Sequence, residues 1–329
     1  MNEIENAAEC LREGKLVAFP TETVYGLGAD ARNEAAVRRV FAVKGRPADH
    51  PLIVHLADAH LADEWAAEIP EAARCLMARF WPGPLTLVLP ARDDVPRVIT
   101  GGQDSVALRV PSHPVALSLL RAFGGGLAAP SANRFGAVSP TEAGHVHATL
   151  GSQIDLVLDG GSCSFGLEST IVSLLGQRPR VLRPGALPLS ALREALGKDG
   201  IEFGALPMSA PRVPGALAAH YAPATGLEIH AGEILAARTA ALLAQGLRVA
   251  VLRRDNGLQG QTALPILTQF FLPAQPEDYA RGLYARLREL DSFAFDRVLV
   301  EAPPDEEAWW AVNDRLARAA AGHARKLET

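Results

Sequence analysis

Cysteine, aromatic residues and basic charge are all in short supply in this sequence of 329 residues. Its three cysteines, Cys10, Cys75 and Cys163, lie far apart and form neither a CxxC pair nor a disulfide framework. We therefore expect a protein of a reducing compartment, the cytoplasm. No apolar run approaches the length of a membrane-spanning helix, so we also expect no association with a membrane.

The charge balance is slightly acidic, with 32 Lys and Arg against 37 Asp and Glu and a formal net charge of -5. No general basic surface is available to hold nucleic acid, so we expect weak direct binding of RNA or none. Hydrophobic residues make up 48% and the mean hydropathy is +0.09, which excludes a disordered, collagen-like or coiled-coil chain. The length predicts about two domains.

Several common catalytic motifs are missing. The sequence has no GxxxxGK[ST] phosphate loop, no complete GxGxxG, no HExxH, no zinc-type Cys/His spacing and no GxSxG. Gly26 and Gly28 begin a dinucleotide pattern but lack its third glycine, so we predict that they form a tight turn. Covalent and zinc-dependent mechanisms are therefore disfavoured.

Helical and strand-like patterns alternate along the N-terminal part of the chain, which predicts an α/β domain over residues 1–200 with a mixed sheet. A stretch rich in Gly, Pro and Ala follows, and we predict a linker at 201–226. A second, shorter alternation over 227–329 predicts a small Rossmann-like α/β domain.

Two cations and a histidine lie close together in KGRPADHPLIVH. Lys44 and Arg46 are in a loop restrained by Gly and Pro, and together they suit a phosphate group. His55 is in the strand that follows, where a structural role is the usual one. In SVALRVP, strand alternation places Arg109 opposite the apolar face. A buried guanidinium needs an anion, either an internal Asp or Glu or a ligand carboxylate.

Hydroxyl and amide groups cluster in two further segments. APSANRFGAVSP contains Ser131, Asn133 and Ser139, which are able to bind phosphate, ribose or a base edge but are also ordinary turn residues. GLEST and RVLRPG place Ser169 at the start of a strand and Arg183 at the end of one. Arg183 suits either an anion or a solvated position before the Pro-Gly turn.

The order of these motifs resembles the threonylcarbamoyl-AMP synthase family, the YrdC-like class. The similar segments are PTETVYGLGAD, KGRP, PLIVH, FWPGPLTLVLP, ALRVP, APSAN, LEST and LRPG. HYAP at 220–223, followed by a small α/β unit, is similar to the long, two-domain form. The resemblance implies an N-terminal YrdC-like twisted mixed sheet with flanking helices and a smaller C-terminal Rossmann-like domain.

The resemblance also implies an activity. Enzymes of this family combine L-threonine, bicarbonate or CO2 and ATP, with Mg2+, into threonylcarbamoyl-adenylate and pyrophosphate. Other proteins then transfer the threonylcarbamoyl group to the adenosine next to the anticodon of certain tRNAs. A nucleotidyltransferase of this kind needs no protein nucleophile, because positioning and cationic charge stabilise the transfer at phosphorus.

The site residues implied by the resemblance fall into three groups. Catalytic charge stabilisation is assigned to Lys44, Arg46 and Arg183. Threonine binding is assigned to Thr23, His55, Arg109, Ala129 and Ser169. ATP binding is assigned to Lys44, Arg46, His50, Ser105, Ser131, Asn133, Ser139, Arg183, His220 and Tyr221.

Two positions depart from the family pattern. His50 stands where the family commonly has Asn, and residues 216–219 are uncharged where many members have a Met-Lys-aromatic-basic run. We predict that the linker is a lid, with His220 and Tyr221 as its contacts to the nucleotide. Two alternatives stay open at this point: adenylation of a different carbamoyl compound, and a non-catalytic RNA-binding module.

Overall fold

The computed structural model describes residues 2–255 and 267–327. Two compact units make up the chain: Met1–Phe135 with Ser139–Ala216, and Gly136–Val138 with Leu217–Thr329. The predicted linker is shared between them, since its residues up to 216 are part of the first unit. Within the described ranges, no helix combines the length and the hydropathy that crossing a bilayer requires.

Helices and strands alternate in the first unit as the sequence predicts. The helices are α1 Glu3–Arg12, α2 Glu34–Lys44, α3 Glu71–Phe80, α4 Arg97–Thr100, α5 Pro114–Phe123, α6 Ala143–Leu150 and α7 Leu189–Leu196. The strands are β1 Val17–Phe19, β2 Gly26–Asp30, β3 Ile53–His55, β4 Leu85–Pro90, β5 Ser105–Arg109, β6 Leu127–Ala128, β7 Leu156–Val157, β8 Thr170–Ser173 and β9 Arg180–Arg183.

The strands of the first unit form one mixed sheet in the order β7-β1-β2-β6-β3-β5-β4-β8-β9. β3 pairs in parallel with β5, and β4 pairs in parallel with β8, whereas β5 and β9 run antiparallel to β4 and β8. Because parallel and antiparallel pairs occur in one sheet, the mixed sheet predicted from the sequence is confirmed.

Both faces of this sheet are covered. α2 and α6 pack against one face of β1 and β2 through a buried cluster that includes Val40 and Val146. α1 and α5 pack against the opposite face of the same region, around Phe19 and Leu127. Each helix buries one apolar stripe, as amphipathic spacing requires. On the other strands, the face that carries Ile53 is covered by residues from 210 to 216.

The tight turn predicted at Gly26 and Gly28 is wrong, because both residues lie in β2. A Cβ atom on Gly28 would lie 2.8 Å from the Phe19 ring and 3.1 Å from the carbonyl oxygen of Val17. The glycine therefore permits a close approach between β1 and β2, an alternative use of glycine in a strand. A 3-10 helix at Ala59–Glu64 lies between β3 and α3.

The second unit is a parallel sheet with helices, in the order β10-β13-β11-β12. Its strands are β10 Gly226–His230, β11 Val249–Asp255, β12 Leu267–Pro273 and β13 Arg297–Glu301. Its helices are α8 Gly232–Ala244, α9 Pro276–Ser292 and α10 Trp310–Leu327. The Rossmann-like prediction is confirmed, although β12 was not expected from the sequence.

Candidate active site

The sheet places His55 and Arg109 next to each other. In the parallel pairing of β3 with β5 the two residues are direct partners, two positions after the pair Ile53 and Ala107 and on the same face. Both side chains are almost completely buried, with 3% of each residue exposed. Strand alternation puts Ser105 on the same face of β5 as Arg109, so this face carries several predicted site residues.

Arg109 has an internal carboxylate partner, Glu22. Its Nη2 donates to Glu22 Oε1 at 2.6 Å, Nη1 donates to Thr23 Oγ1 at 3.0 Å, and Nε donates to the carbonyl oxygen of Gly83 at 3.2 Å. The second oxygen of Glu22 accepts from the backbone N–H of Ser112 at 3.0 Å. The internal ion pair left open by the sequence is thus present, so the burial of Arg109 does not by itself require a ligand.

His55 is a buried neutral imidazole. Its Nδ1 is buried and has no hydrogen-bond partner in the described part of the chain, and its ring lies edge-on to Phe19. Burial, together with the positive charge of Arg109, lowers the pKa of His55 from 6.5 to about 3. His55 Nδ1 is therefore a candidate hydrogen-bonding group for a ligand on this sheet face.

This low pKa predicts a loss of stability in acid. The unfolded chain binds a proton on His55 below pH 6.5, whereas the folded chain takes one only near pH 3. The stabilisation by neutral His55 is therefore complete above pH 6.5 and is lost as pH falls toward 3. Relative to His55→Asn, we expect the free energy of unfolding to fall by about 2 kcal/mol between pH 6.5 and pH 5.

Urea unfolding of both proteins at pH 7, 6 and 5 measures this difference. All other titrating groups are shared by the two proteins, so their contributions cancel in the comparison. Parallel stability curves for wild type and His55→Asn would contradict the buried neutral histidine.

Lys44 and Arg46 form a buried cationic corner at the end of α2. The helix begins at the Asn33 cap and ends at Gly45, whose φ of 62° is left-handed. Lys44 Nζ donates to the carbonyl oxygens of Ser131 and Asn133 at 2.5 and 2.6 Å. Burial and the nearby charge of Arg46 hold the pKa of Lys44 well below its usual range. An incoming anion would favour its charged form.

Arg46 and His50 meet at the ring of Phe135 in the same corner. The guanidinium of Arg46 lies 5.7 Å from the ring centroid and donates from Nη2 to the carbonyl oxygen of Pro51 at 2.8 Å. The His50 ring packs edge-on at 5.3 Å, and partial burial together with Arg46 lowers its pKa. His50, which departs from the family pattern, is therefore held beside Arg46.

Arg183 is buried at the end of β9, with 2% of the residue exposed, so the solvated position considered from the sequence is wrong. Its Nη1 donates to the carbonyl oxygen of Pro214 at 2.8 Å, and its Nη2 donates to that of Ser169 at 2.7 Å. The hydroxyl of Ser169 lies 2.8 Å from that of Thr86. Gly185 packs directly on the backbone of Glu168 and Ser169, where a Cβ atom has no space.

The middle of the predicted linker covers the sheet face that carries Ile53 and Ala107. Val213 packs in a buried cluster with side chains from β3, β5, β4, β8 and β9, and Ala216 lies against it. Arg212 donates to the carbonyl oxygen of Gly101 at 2.7 Å, and its backbone N–H donates to Gln103. This segment, residues 207–216, is therefore packed on the first unit next to Arg183.

Three further predicted residues also lie in the first unit. The backbone N–H of Ala129 donates to the carbonyl oxygen of Ile53 at 3.0 Å, next to the strand that carries His55. Ser139 is fully buried, and its hydroxyl donates to Glu168 Oε1 at 2.7 Å. The Nδ2 of Asn133 donates to the neighbouring carbonyl of Arg134 at 2.7 Å, which is turn chemistry.

Sequence reasoning overlooked the two buried carboxylates and the carbonyl of the covering segment. Glu22 and Glu168 lie inside PTETVYG and GLEST, two of the motifs that carry the resemblance, yet no role was assigned to them. The available signal was a hydroxyl residue directly after each carboxylate, Thr23 after Glu22 and Ser169 after Glu168. Pro214 had no signal, because its contact with Arg183 depends on how the covering segment packs.

His220 and Tyr221 lie in the second unit. Tyr221 has a φ of 59°, uncommon for a residue with a side chain, and its ring stacks on Tyr284 with centroids 5.8 Å apart. Arg315 lies 5.1 Å from the Tyr221 ring centroid, and the His220 ring is 4.1 Å away. Their predicted contacts with the nucleotide stay a prediction.

Acidic and imidazole side chains do not form a metal centre in the residues that the structure describes: no group of three or more His, Cys, Asp or Glu is placed to hold an ion. Glu22 and Glu168 are already bonded to Arg109 and Ser139. The donor set of the first unit therefore consists mainly of cations, hydroxyls and carbonyls.

Two family models match the chain. One, described as telomere recombination, covers Sua5, YciO and YrdC proteins and matches residues 9–185. The other is described as the C-terminal domain of threonylcarbamoyl-AMP synthase and matches residues 188–321. Together they span both units.

Curated relatives and a solved structure are similar over nearly the whole chain. A threonylcarbamoyl-AMP synthase of Pyrococcus abyssi is 42% identical, over 96% of this chain and 93% of the relative. A threonylcarbamoyl-AMP synthase of Bacillus subtilis is 41% identical, over 97% and 93%. The crystal structure of P. abyssi Sua5 complexed with L-threonine has a TM-score of 0.88 at 41% identity, over 97% and 94%.

Proposed function

The chain belongs to the threonylcarbamoyl-AMP synthase family of enzymes, and we propose that it makes L-threonylcarbamoyladenylate from L-threonine, bicarbonate and ATP with release of pyrophosphate. The observation that carries the proposal is that one unit contains both three buried cations, Lys44, Arg46 and Arg183, and a buried His-Arg pair on adjacent strands. The cations suit a polyphosphate, and the His-Arg pair suits an amino acid.

ATP binding is supported by Lys44, Arg46 and Arg183. All three side chains are buried and cationic. Arginine offers a bidentate fork and lysine a point charge, a combination that suits the phosphates of a nucleotide. We assign the phosphates to these cations, assisted by the nearby hydroxyl and imidazole groups. Those groups are Ser105, Ser131, Ser139 and His50.

Threonine binding is supported by the pair His55 and Arg109. Three of the five N–H groups of a guanidinium take part in the bonds from Arg109 described above, which leaves donors for the carboxylate of the amino acid. The unpartnered Nδ1 of His55 supplies a hydrogen bond for the threonine hydroxyl. We assign Thr23, Ala129 and Ser169 to the walls of this subsite.

These groups are sufficient for the chemistry. The amine of threonine attacks CO2, or bicarbonate with loss of water, and gives up a proton to form a carbamate. A carbamate oxygen then attacks the α-phosphorus of ATP, forming an O–P bond while the bond to the pyrophosphate oxygen breaks. Positive charge from Lys44, Arg46 and Arg183 stabilises the transferring phosphoryl group, so no covalent enzyme intermediate is needed.

We propose that Mg2+ enters with ATP and is held mainly by its phosphates, in keeping with a donor set of cations, hydroxyls and carbonyls in the first unit. A carbamate loses CO2 readily in water, so the site must exclude solvent while the adenylate forms. The segment 207–216 is suited to this role because it packs on the same sheet face. His220 and Tyr221 remain our candidates for further nucleotide contacts.

The product would supply the threonylcarbamoyl group to tRNA-modifying proteins, which attach it to adenosine next to the anticodon. The net charge of -5 favours an indirect connection to tRNA through this small molecule over direct binding. The three cysteines are free, which is compatible with work in the cytoplasm.

One assay tests the proposed function. The purified protein is incubated with ATP, Mg2+, bicarbonate and isotopically labelled L-threonine, and both pyrophosphate and a labelled adenylate are measured. We expect equal amounts of the two products. Reactions without bicarbonate or without threonine are the controls, and both should be inactive.

Release of pyrophosphate without a labelled adenylate, or with an adenylate of another carbamoyl compound only, would reject the proposed substrate. Salt-sensitive RNA binding in place of any turnover would instead support a binding module.

A further inference from the structure

A cavity lies in the first unit, and none of the residues assigned to the reaction lines it. Its volume is about 570 Å³, within the range of roughly 300–1,000 Å³ that is typical of small-molecule sites. It lies between the hairpin formed by β8 and β9 and the segment 207–211. Arg180 lines it, whereas Arg183 lies three positions along the same strand, about 10 Å away at the usual strand rise.

The walls of this cavity are held in place by the pairing of β9 with residues 202–205. The backbone N–H of Val181 donates to the carbonyl oxygen of Glu202 at 2.9 Å, and Arg180 forms an ion pair with the Glu202 side chain. Arg180 also donates to the carbonyl oxygen of Ala205 at 3.3 Å. The charges of Arg180 and Glu202 therefore offset each other within the cavity wall.

Arg178 also lines the cavity, and the ion pair between Arg180 and Glu202 does not offset its charge. It lies on the exposed β8–β9 turn and forms no ion pair with any residue that the structure describes. Ser173 and Ser209 add hydroxyl groups to the same wall, and Leu182 and Ala210 add an apolar side. A cavity with one unpaired guanidinium, two hydroxyls and an apolar side suits a small organic molecule that carries an anionic group.

We propose that this cavity binds a small organic phosphate of mononucleotide size, with its phosphate against Arg178 and its base against the apolar side. The segment that forms one wall, 207–211, continues directly into Val213 and Pro214, which cover the sheet face and bond to Arg183. A ligand that contacts both hairpin and segment stabilises the packed arrangement of the segment. The cavity is thus a regulatory site for the covering segment.

UMP is the probe for this site, used with the full-length protein in the absence of ATP and threonine. Isothermal titration measures the binding of UMP, of uridine and of inorganic phosphate to the wild type, to Arg178→Gln and to Arg121→Gln. Arg121 is an exposed arginine on α5 and provides the matched control. Hydrogen exchange of residues 207–216, with and without UMP, measures the effect on the segment.

We expect UMP to bind the wild type and Arg121→Gln equally, and Arg178→Gln about tenfold more weakly, because one charge-assisted contact is lost. Uridine and phosphate alone should each bind more weakly than UMP, and UMP should slow exchange in residues 207–216. Equal binding of UMP to Arg178→Gln, equal binding of uridine and UMP, or no binding of any probe up to millimolar concentration would overturn the proposal.

Binding in this titration does not depend on the proposed reaction, so the two proposals fail separately. Arg178→Gln should keep wild-type adenylate formation when UMP is absent, because Arg178 is outside the residues assigned to catalysis. Loss of adenylate formation in this variant without UMP would place Arg178 in the reaction itself and would overturn its regulatory assignment.

Discussion

Replacing Lys44 with Met is expected to lower kcat/KM for adenylate formation by about 10²–10³, the usual cost of removing one preorganised donor from a site where charge develops. The ammonium group is buried, and its two carbonyl partners hold it at the end of α2. Both partners are neutral carbonyl oxygens, so the positive charge of Lys44 is available to the phosphate group that we propose it binds.

The matched control is Lys15→Met, which makes the same substitution at an exposed lysine of the same unit. We expect wild-type kinetics from this control, and an unchanged KM for threonine in Lys44→Met. Circular dichroism and a thermal melt establish that Lys44→Met is folded before its kinetics are interpreted. A folded Lys44→Met enzyme with wild-type kcat/KM would remove Lys44 from the catalytic assignment.

Replacing Glu22 with Ala is expected to lower the free energy of unfolding by about 3–5 kcal/mol, because it leaves the buried Arg109 without its carboxylate partner. The two side chains are 5% and 4% exposed, so water compensates little of the loss. The Ser112 backbone N–H loses its acceptor as well.

A double variant separates the ion pair from general packing. Glu22→Ala with Arg109→Met removes both charges, and we expect it to recover part of the lost stability, since an uncompensated buried charge is no longer present. Glu9→Ala is the surface control: it breaks the exposed pair with Arg12 and should cost less than about 1 kcal/mol. Urea unfolding of the four proteins measures these values. A Glu22→Ala variant as stable as Glu9→Ala would refute the role of the buried pair.

Local sequence pattern was a reliable guide to most elements of the fold. Apolar residues at helical spacing before Lys44 and Gly45 predict α2, and alternation predicts the faces of β3 and β5. β2 was missed because its glycines have two possible uses, a turn or a close approach to Phe19. Only the packing of β1 on β2 decides between these uses.

The sequence predicted which residues belong to the candidate site, but it did not predict their hydrogen-bond and ion-pair partners. The motifs include Arg109 and also Glu22, but these residues are 87 positions apart, and nothing local connects them. Their contact depends on where β5 lies in the sheet relative to the loop after β1. From the sequence, the anion partner of Arg109 is therefore open between an internal carboxylate and a ligand.

Motif order and local spacing were enough to identify the family, the α/β class of both units and the cations and hydroxyls on which the proposed reaction depends. These follow from local spacing and from motif order, which a chain carries before it folds. Tertiary structure alone decided that Arg183 is buried, that Glu22 neutralises Arg109 and that residues 207–216 cover the site. The physical reason is that burial and ion pairing depend on contacts between distant strands, whose order and register arise only when the sheet assembles.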